Sequence, residues 1–133
     1  MPGETSMHKL LSGMSPQLND GRYVFCTLAD AKLPSGLEII GSFREAEGLT
    51  LILPLEQAQQ AGLGYDYIAA WITLKIHSSL QAVGLTAAVS RALADAGISC
   101  NVIAAYYHDH IFVGEADGPR ALAVLRALAQ SQQ

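Results

Sequence analysis

The chain has 133 residues, a net charge of −4, an apolar fraction of 50% and a charged fraction of only 15%. This length suits one domain or two very small ones, and the apolar fraction excludes a disordered chain. The acidic balance and the lack of a basic run argue against a nucleic-acid partner. No apolar stretch reaches the roughly 18 residues that a bilayer span needs, so a membrane protein is not expected. The low charged fraction hints at self-association.

The first half of the chain alternates short apolar segments with turn signals. Gly13 ends a helical stretch, Asn19–Gly21 is typical of a turn, and Pro34 breaks a following loop. Pro54 suits the first turn of a helix. The predicted elements are a helix over 6–14, a strand over 22–28, a hairpin over 37–54 that turns near Gly48, and a short helix over 55–62.

The second half has cleaner periodicity. Apolar residues alternate along a strand at Tyr67–Ile76, and a helix that begins at Leu85 and ends before Gly97 carries one apolar stripe. The residues of that stripe are Leu85, Ala88, Val89, Ala92, Leu93 and Ala96. The remaining predicted elements are a strand over 98–107, a turn at 108–110, a return strand over 111–113 and a last helix that opens at Asp117–Pro119.

The order from Tyr67 onward is therefore β-α-β-β-α, which predicts an α+β fold of the ferredoxin-like βαββαβ type. Such a fold places its helices on one face of an antiparallel sheet. Its fourth strand has no counterpart before Gln133. The N-terminal half reads α-β-β-β-α and lacks an opening strand. We expect the two halves to complete one another, because an open apolar edge would favour aggregation.

Three short segments carry a resemblance to a known family: Val83-Gly84-Leu85 before the helix, Ala96-Gly97-Ile98 after it, and Asn101-Val102 on the next strand. The second half resembles the ACT domain, most closely the ACT modules of aspartate kinases, and the whole chain is similar to small stand-alone ACT proteins. The resemblance implies two ACT-like units in tandem, at residues 1–65 and 66–133. It also implies pairing of units through their sheets and binding of a small molecule, often an amino acid, without catalysis.

Gly84 is the centre of the predicted ligand site. A glycine lets the backbone approach a ligand closely, and the amides of the first helical turn are unpaired donors that favour a carboxylate. Asn101 offers both a donor and an acceptor. The alternative is that Gly84 only makes a tight turn and Asn101 is a solvated strand residue. Together with the resemblance, this predicts a ligand site at Val83, Gly84, Leu85, Thr86, Asn101 and Val102.

The histidines at His108 and His110, with Asp109 between them and His77 elsewhere, form the one metal-like cluster. Zinc needs several ligands that converge on one point, and a polar hairpin turn explains this segment better. Ser78 and Ser79 are expected to bond to backbone rather than to a ligand. We therefore predict no metal and no cofactor.

Other polar side chains offer no active site. Cys26 and Cys100 lie in apolar runs and are interpreted as reduced thiols, although a disulfide between them stays open. Glu45 and Glu47 flank a hairpin turn, where solvated carboxylates are expected. The sequence therefore predicts that the protein is not an enzyme.

Trp71, Ile103, Ala105 and Tyr107 have the parity to share the sheet face that the helices leave open. Such a face favours an interface between copies of the chain or between modules, unless a bulge shifts the strand parity. The predicted protein is thus a cytoplasmic regulatory homo-oligomer, a dimer, that binds an amino acid and acts on an enzyme partner. Two alternatives stay open: an interaction subunit without a ligand, and a small metal-binding protein.

Overall fold

The computed structural model describes residues 6–30, 32–76 and 84–132. Every predicted helix and strand is present, and one further strand follows the first helix. The elements are α1 (Met7–Ser12), β1 (Ser15–Leu18), β2 (Tyr23–Leu28), β3 (Gly41–Glu45), β4 (Gly48–Pro54), α2 (Leu55–Gln60), β5 (Ile68–Lys75), α3 (Leu85–Asp95), β6 (Cys100–Ala104), β7 (Asp109–Gly114) and α4 (Gly118–Gln130). None of the helices among these residues is long and apolar enough to cross a membrane.

The chain divides by its contacts into two compact units. We call unit 1 the described parts of Met1–Asp20 and Ala70–Gln133, and unit 2 the described part of Gly21–Ala69. Helix α1 and strand β1 therefore pack with the C-terminal half rather than with the segment that follows them. The predicted domain boundaries, residues 1–65 and 66–133, divide the sequence rather than these two units, and they stay a prediction.

Strand β1 supplies the fourth strand that the C-terminal half lacks. In unit 1 the strand order is β1-β5-β7-β6, and β1 pairs antiparallel with β5 from Ser15 opposite Lys75 to Leu18 opposite Ile72. Counted from β5, this is the 4-1-3-2 order of a complete βαββαβ unit. The expectation of only three strands in the N-terminal half is thus wrong, because Pro16 hides a four-residue strand. The expectation that the N-terminal half completes the C-terminal half is confirmed.

The core of unit 1 lies between its sheet and three helices. Strand β5 buries Ala70, Ile72 and Leu74 on one side, as its alternation predicts. The predicted stripe of α3 is confirmed, with Leu85, Val89 and Leu93 buried. Each fully buried aliphatic side chain stabilises the fold by about 1.5–3 kcal/mol. The other core residues are Leu10, Leu11, Met14, Ile98, Ile111, Val113, Ala121, Leu125 and Ala129.

Unit 2 contains the predicted hairpin and a smaller core. Strands β3 and β4 pair from Glu45 opposite Gly48, so that a two-residue turn joins them, and β2 lies beside β4. A Cβ atom at Gly48 would lie 2.7 Å from the carbonyl oxygen of Leu28, which explains the glycine. Helix α2 closes this core, whose residues are Val24, Cys26, Leu51, Leu53, Leu55 and Ala58.

The second hairpin differs from the prediction. Its loop spans Ala105 to His108, where the amide of Ala105 donates a 3.1 Å hydrogen bond to the carbonyl of His108. Asp109 therefore pairs with Ala104 as the first residue of β7, and the predicted turn at 108–110 is wrong. Tyr107 sits at the exposed loop tip, so neither it nor Ala105 lies on the open sheet face.

Candidate functional site

Helix α3 is entered through a left-handed glycine. Gly84 has a φ of +96°, a conformation that L side chains rarely adopt, and it is the residue that caps the helix. Within the described residues no side-chain cap is found at this end of the helix, and its first turn contains no acidic residue. The first-turn amides of Leu85 and Thr86 have no partner within the helix and lie at the positive end of its dipole. This arrangement can bind a carboxylate.

The space that a side chain on Gly84 would enter is occupied by the side chain of Met7. A Cβ atom on Gly84 would lie 2.8 Å from Cε of Met7, the first residue of α1. The glycine thus meets two requirements, a positive φ and the close approach of a neighbouring side chain. The terminal methyl group of Met7 belongs to a flexible side chain and can move aside.

The predicted site residues lie in more than one place. Leu85 is buried in the core of unit 1, while Thr86 is exposed beside Gly84. On β6, Val102 packs against the core, so the exposed Asn101 faces the opposite side of the sheet. Gly84, Leu85 and Thr86 thus form one group at the helix entrance, and a ligand role for Asn101 stays a prediction. Val83 lies outside the described residues.

A polar network crosses the open face of unit 1, and sequence reasoning did not find it. The indole nitrogen of Trp71 donates a 3.0 Å hydrogen bond to Nδ1 of His110, and the hydroxyl of Thr73 lies 3.3 Å from the same atom. Asn19, which follows β1, donates through Nδ2 to Thr73 Oγ1 at 3.0 Å and to the carbonyl of Trp71 at 3.2 Å. Because Nδ1 of His110 accepts, this network requires a neutral imidazole.

Asp109 is the most unusual charged residue of unit 1. It is only 7% exposed, which is unusual for a carboxylate. Burial raises the pKa of Asp109, and the imidazoles of His110 and His108 offset part of that rise. Burial and the charge of His108 lower the pKa of His110, whereas Asp109 acts in the opposite direction. This burial has no signal in the sequence, because Asp109 stands between two polar residues.

The metal and thiol candidates can also be placed. Among the described residues no group of three or more histidine, cysteine, aspartate or glutamate side chains could hold a metal ion. Nδ1 of His108 is buried without a hydrogen-bond partner in that same part of the chain. His77, like Ser78 and Ser79, lies outside it. Cys26 and Cys100 are free thiols in this structure, and burial raises the pKa of the Cys26 thiol.

Unit 2 has a cavity of its own, with a volume of about 640 Å³. Its wall combines two aromatic rings, three hydroxyl groups and two carboxylates, and Glu45 accepts a 2.5 Å hydrogen bond from Thr50. Sequence reasoning placed Glu45 only at a hairpin turn and missed this cavity, because its walls come from separate strands. The side chains that give it this character are Phe25, Thr27, Glu45, Thr50, Tyr65 and Asp66.

Comparison with known proteins agrees with this fold. A crystal structure of a protein of unknown function from Vibrio cholerae, described as a possible transport protein, is 52% identical with a TM-score of 0.83. The match covers 95% of this chain and 98% of that one. The ligand-free regulatory subunit of aspartate kinase from Thermus thermophilus has a TM-score of 0.59 at 10% identity, over 85% of this chain and 95% of that one.

A structure of aspartokinase alpha and beta subunits gives a TM-score of 0.63 at 13% identity, over 87% of this chain and 97% of that one. At such low identity, both aspartate kinase structures show a shared fold alone. No curated protein matches the sequence. Two family models, each described as an ACT domain, match residues 2–70 and 67–127 and so cover nearly the whole chain. The protein belongs to the ACT-domain family and has the ferredoxin-like fold that its sequence predicts, with two ACT domains in tandem.

Proposed function

We propose that this protein is a regulatory protein without catalytic activity and that it binds a small molecule of the amino-acid class. ACT domains typically serve as regulatory ligand-binding modules, and both halves of the chain match this family. The aspartate kinase neighbours include a regulatory subunit. This protein would therefore sense a metabolite and pass the signal to a partner.

The observation that carries the proposal is the entrance of α3. This eleven-residue helix has no acidic first-turn residue and no side-chain cap from the described part of the chain, so its first amide donors and its positive dipole end are available to an anion. The left-handed Gly84 removes the side chain that would otherwise cover these donors. A carboxylate satisfies both the hydrogen bonds and the charge, and every amino acid carries one.

One alternative is an interaction subunit in which no ligand exists. The contact of Met7 with Gly84 favours it, because that contact alone accounts for a glycine at this position. The two functions differ in what Met7 does. In a sensor, the Met7 methyl group moves when the ligand enters, whereas in an interaction subunit it remains a fixed part of the core.

The partners we propose are a second copy of the chain and a regulated enzyme. Trp71 and Ile103 lie on the face of unit 1 that the helices leave open, and Ile103 is 38% exposed. An aromatic and an aliphatic side chain at such a position are typical of interface cores. The free thiols of Cys26 and Cys100 support a reducing compartment, and we propose the cytoplasm.

The test uses two glycines of the same helix. Gly84→Ala places a methyl group at the entrance, whereas Gly97→Ala does so beyond the other end of α3, where φ is +76° and no atom lies within 4 Å. Both variants carry a comparable backbone strain of about 1 kcal/mol. Thermal shift and calorimetry with the standard L-amino acids are measured on both variants and on the wild type.

The proposed function predicts that one amino acid stabilises the wild type and Gly97→Ala, while Gly84→Ala loses at least about tenfold in affinity. Met7→Ala, which opens the same corner, should bind more tightly than the wild type. If no amino acid stabilises the wild type, the interaction subunit is the better account. If the wild type, Gly84→Ala and Gly97→Ala all bind the amino acid with equal affinity, the ligand site lies elsewhere.

A further inference from the structure

The cavity of unit 2 lies where two paired strands separate. Strand β2 pairs with β5 from Tyr23 opposite Ala69 to Val24 opposite Ile68, and the pairing ends there. Beyond that point the cavity, with its volume of about 640 Å³, is lined by β2 and by residues 64–66, which lead towards β5. Small-molecule sites typically have volumes of about 300–1,000 Å³, so this cavity can hold a compact organic ligand.

One wall of the cavity comes from the sheet. The neighbours of Phe25 and Thr27 along β2 belong to the core with α2, so these two residues face the opposite side of the sheet. Thr50 pairs with Thr27 and shares that side. Glu45, the last residue of β3, accepts the 2.5 Å hydrogen bond from the hydroxyl of Thr50, which orients its carboxylate in this wall.

The other wall comes from the segment that precedes β5. Tyr65 packs against the core of unit 2, which holds its ring in place. Its hydroxyl oxygen accepts a 3.2 Å hydrogen bond from Nε2 of Gln59, and this bond engages a lone pair and leaves the hydroxyl hydrogen able to donate. Asp66 follows and adds a second carboxylate. Each wall of the cavity thus contributes one aromatic ring and one carboxylate.

The charge of the cavity selects the class of ligand. None of the described residues that line it is a lysine, an arginine or a histidine. Residues 21–69 contain six carboxylate side chains and three lysine or arginine side chains, a net charge of −3, so the field of this unit disfavours an anion. A metal ion is a poor fit, because no group of three or more suitable ligands exists among the described residues.

An organic cation matches both features of the walls. Its charged group can donate charge-assisted hydrogen bonds to the carboxylates, and aromatic faces attract the cation and cover its apolar part. An α-amino acid fits less well, because its own carboxylate would meet two like charges.

We propose that the cavity of unit 2 binds a small organic amine in its ammonium form, with the ammonium group paired with Glu45 and Asp66 and the apolar part against Phe25 and Tyr65. The residues of this site all belong to unit 2, whereas α3 belongs to unit 1. The ligand class also differs from that proposed for the entrance of α3. The failure of either proposal therefore leaves the other standing.

The experiment compares three probes of similar shape that differ in charge: 2-phenylethylamine, the neutral 2-phenylethanol and the anionic 3-phenylpropionate. Calorimetry at about pH 7.5 measures their affinities for the wild type, Glu45→Gln, Asp66→Asn and the double variant. Glu47→Gln is the matched control, because Glu47 is an exposed carboxylate of the same hairpin that does not line the cavity.

The wild type and Glu47→Gln should bind 2-phenylethylamine at least about tenfold more tightly than 2-phenylethanol, and 3-phenylpropionate should bind most weakly. Because exposed ion pairs are individually weak, each single variant should lower that preference by about threefold, and the double variant should abolish it. Equal affinity of the wild type for the amine and the alcohol overturns the proposal. An equal loss in Glu47→Gln and Asp66→Asn does so too, and so does a wild type that binds no probe.

A measurement on the wild type locates the amine without any substitution. In a ¹H–¹⁵N NMR titration with 2-phenylethylamine, the backbone amides of Thr27, Thr50 and Tyr65 should shift, while those of Leu85 and Thr86 stay unmoved. Shifts that leave β2 and residues 64–66 unchanged would show that the amine binds elsewhere and would overturn the proposal.

Discussion

His110 joins three segments of unit 1 through a single acceptor atom. Its Nδ1 receives the Trp71 indole hydrogen, and Thr73, which lies 3.3 Å away, is itself held by Asn19 after β1. Protonation would put a hydrogen on Nδ1 and turn it into a donor, so the bond from Trp71 would be lost. The network is therefore stable only while the imidazole is neutral.

The pH dependence of stability follows from this geometry. Because burial lowers the pKa of His110 below the ordinary value of 6.5, the unfolded chain binds protons that the folded chain refuses. The stability from His110 is complete above the ordinary pKa and is lost as the pH falls through the folded pKa. Urea unfolding between about pH 7.5 and about pH 5.5 should show a smaller loss in His110→Gln than in the wild type.

Trp71 is the single tryptophan of the chain and gives a second measurement of the same event. Its emission should change as the pH falls, because the imidazole that accepts its hydrogen bond becomes charged. The change should be absent in His110→Gln. Emission that titrates equally in both proteins would assign the effect to another group.

Among the elements, α3 and β1 differ most in how well the sequence predicts them. The eleven residues of α3 carry three turns of apolar periodicity, so its start, end and buried stripe were all predicted. Strand β1 has four residues, one of them a proline, and such a segment gives no local signal. Its position depends on pairing with β5, which is more than fifty residues away in the chain. The sequence therefore predicted a missing strand and did not identify it.

Asn19 should be important for holding β1 in place. Asn19→Ala removes two side-chain hydrogen bonds, to the carbonyl of Trp71 and to the hydroxyl of Thr73, and should lower the free energy of unfolding by about 1–2 kcal/mol. Gln17→Ala is the control, since Gln17 is an exposed residue of the same strand. Chemical denaturation measures both. If the free energy of unfolding falls equally in both variants, the effect of Asn19→Ala comes from a weakened strand β1 and not from the two lost hydrogen bonds.

At the scale of the whole molecule, the tandem arrangement of two ACT domains was predictable from the sequence. Its two segments resemble the same family, and each of them lacks part of a complete fold. The units that the contacts define are not the segments that the sequence defines, since β1 lies in the first segment and completes the second. The buried state of Asp109 could not be predicted, because it depends on how β7, the helices and the hairpin pack together. The start of α3, by contrast, was predicted from Gly84 and the apolar stripe that follows it.

The open face of unit 1 predicts that the protein self-associates. Ile103→Lys places a charge beside His110, on the face we propose as the interface, and should convert a dimer into monomers at micromolar concentration. Ala127→Lys is the control, because Ala127 is exposed on α4. Light scattering after size-exclusion chromatography measures the mass of each variant. An unchanged mass in Ile103→Lys would assign the interface to another surface.

A ¹H–¹⁵N NMR titration with the standard L-amino acids tests most directly whether the entrance of α3 holds a metabolite. The backbone amides of Leu85 and Thr86 should shift first and furthest when the amino acid that binds is added. The opposite result would be shifts confined to the cavity of unit 2 around Phe25 and Tyr65, with the amides after Gly84 unmoved.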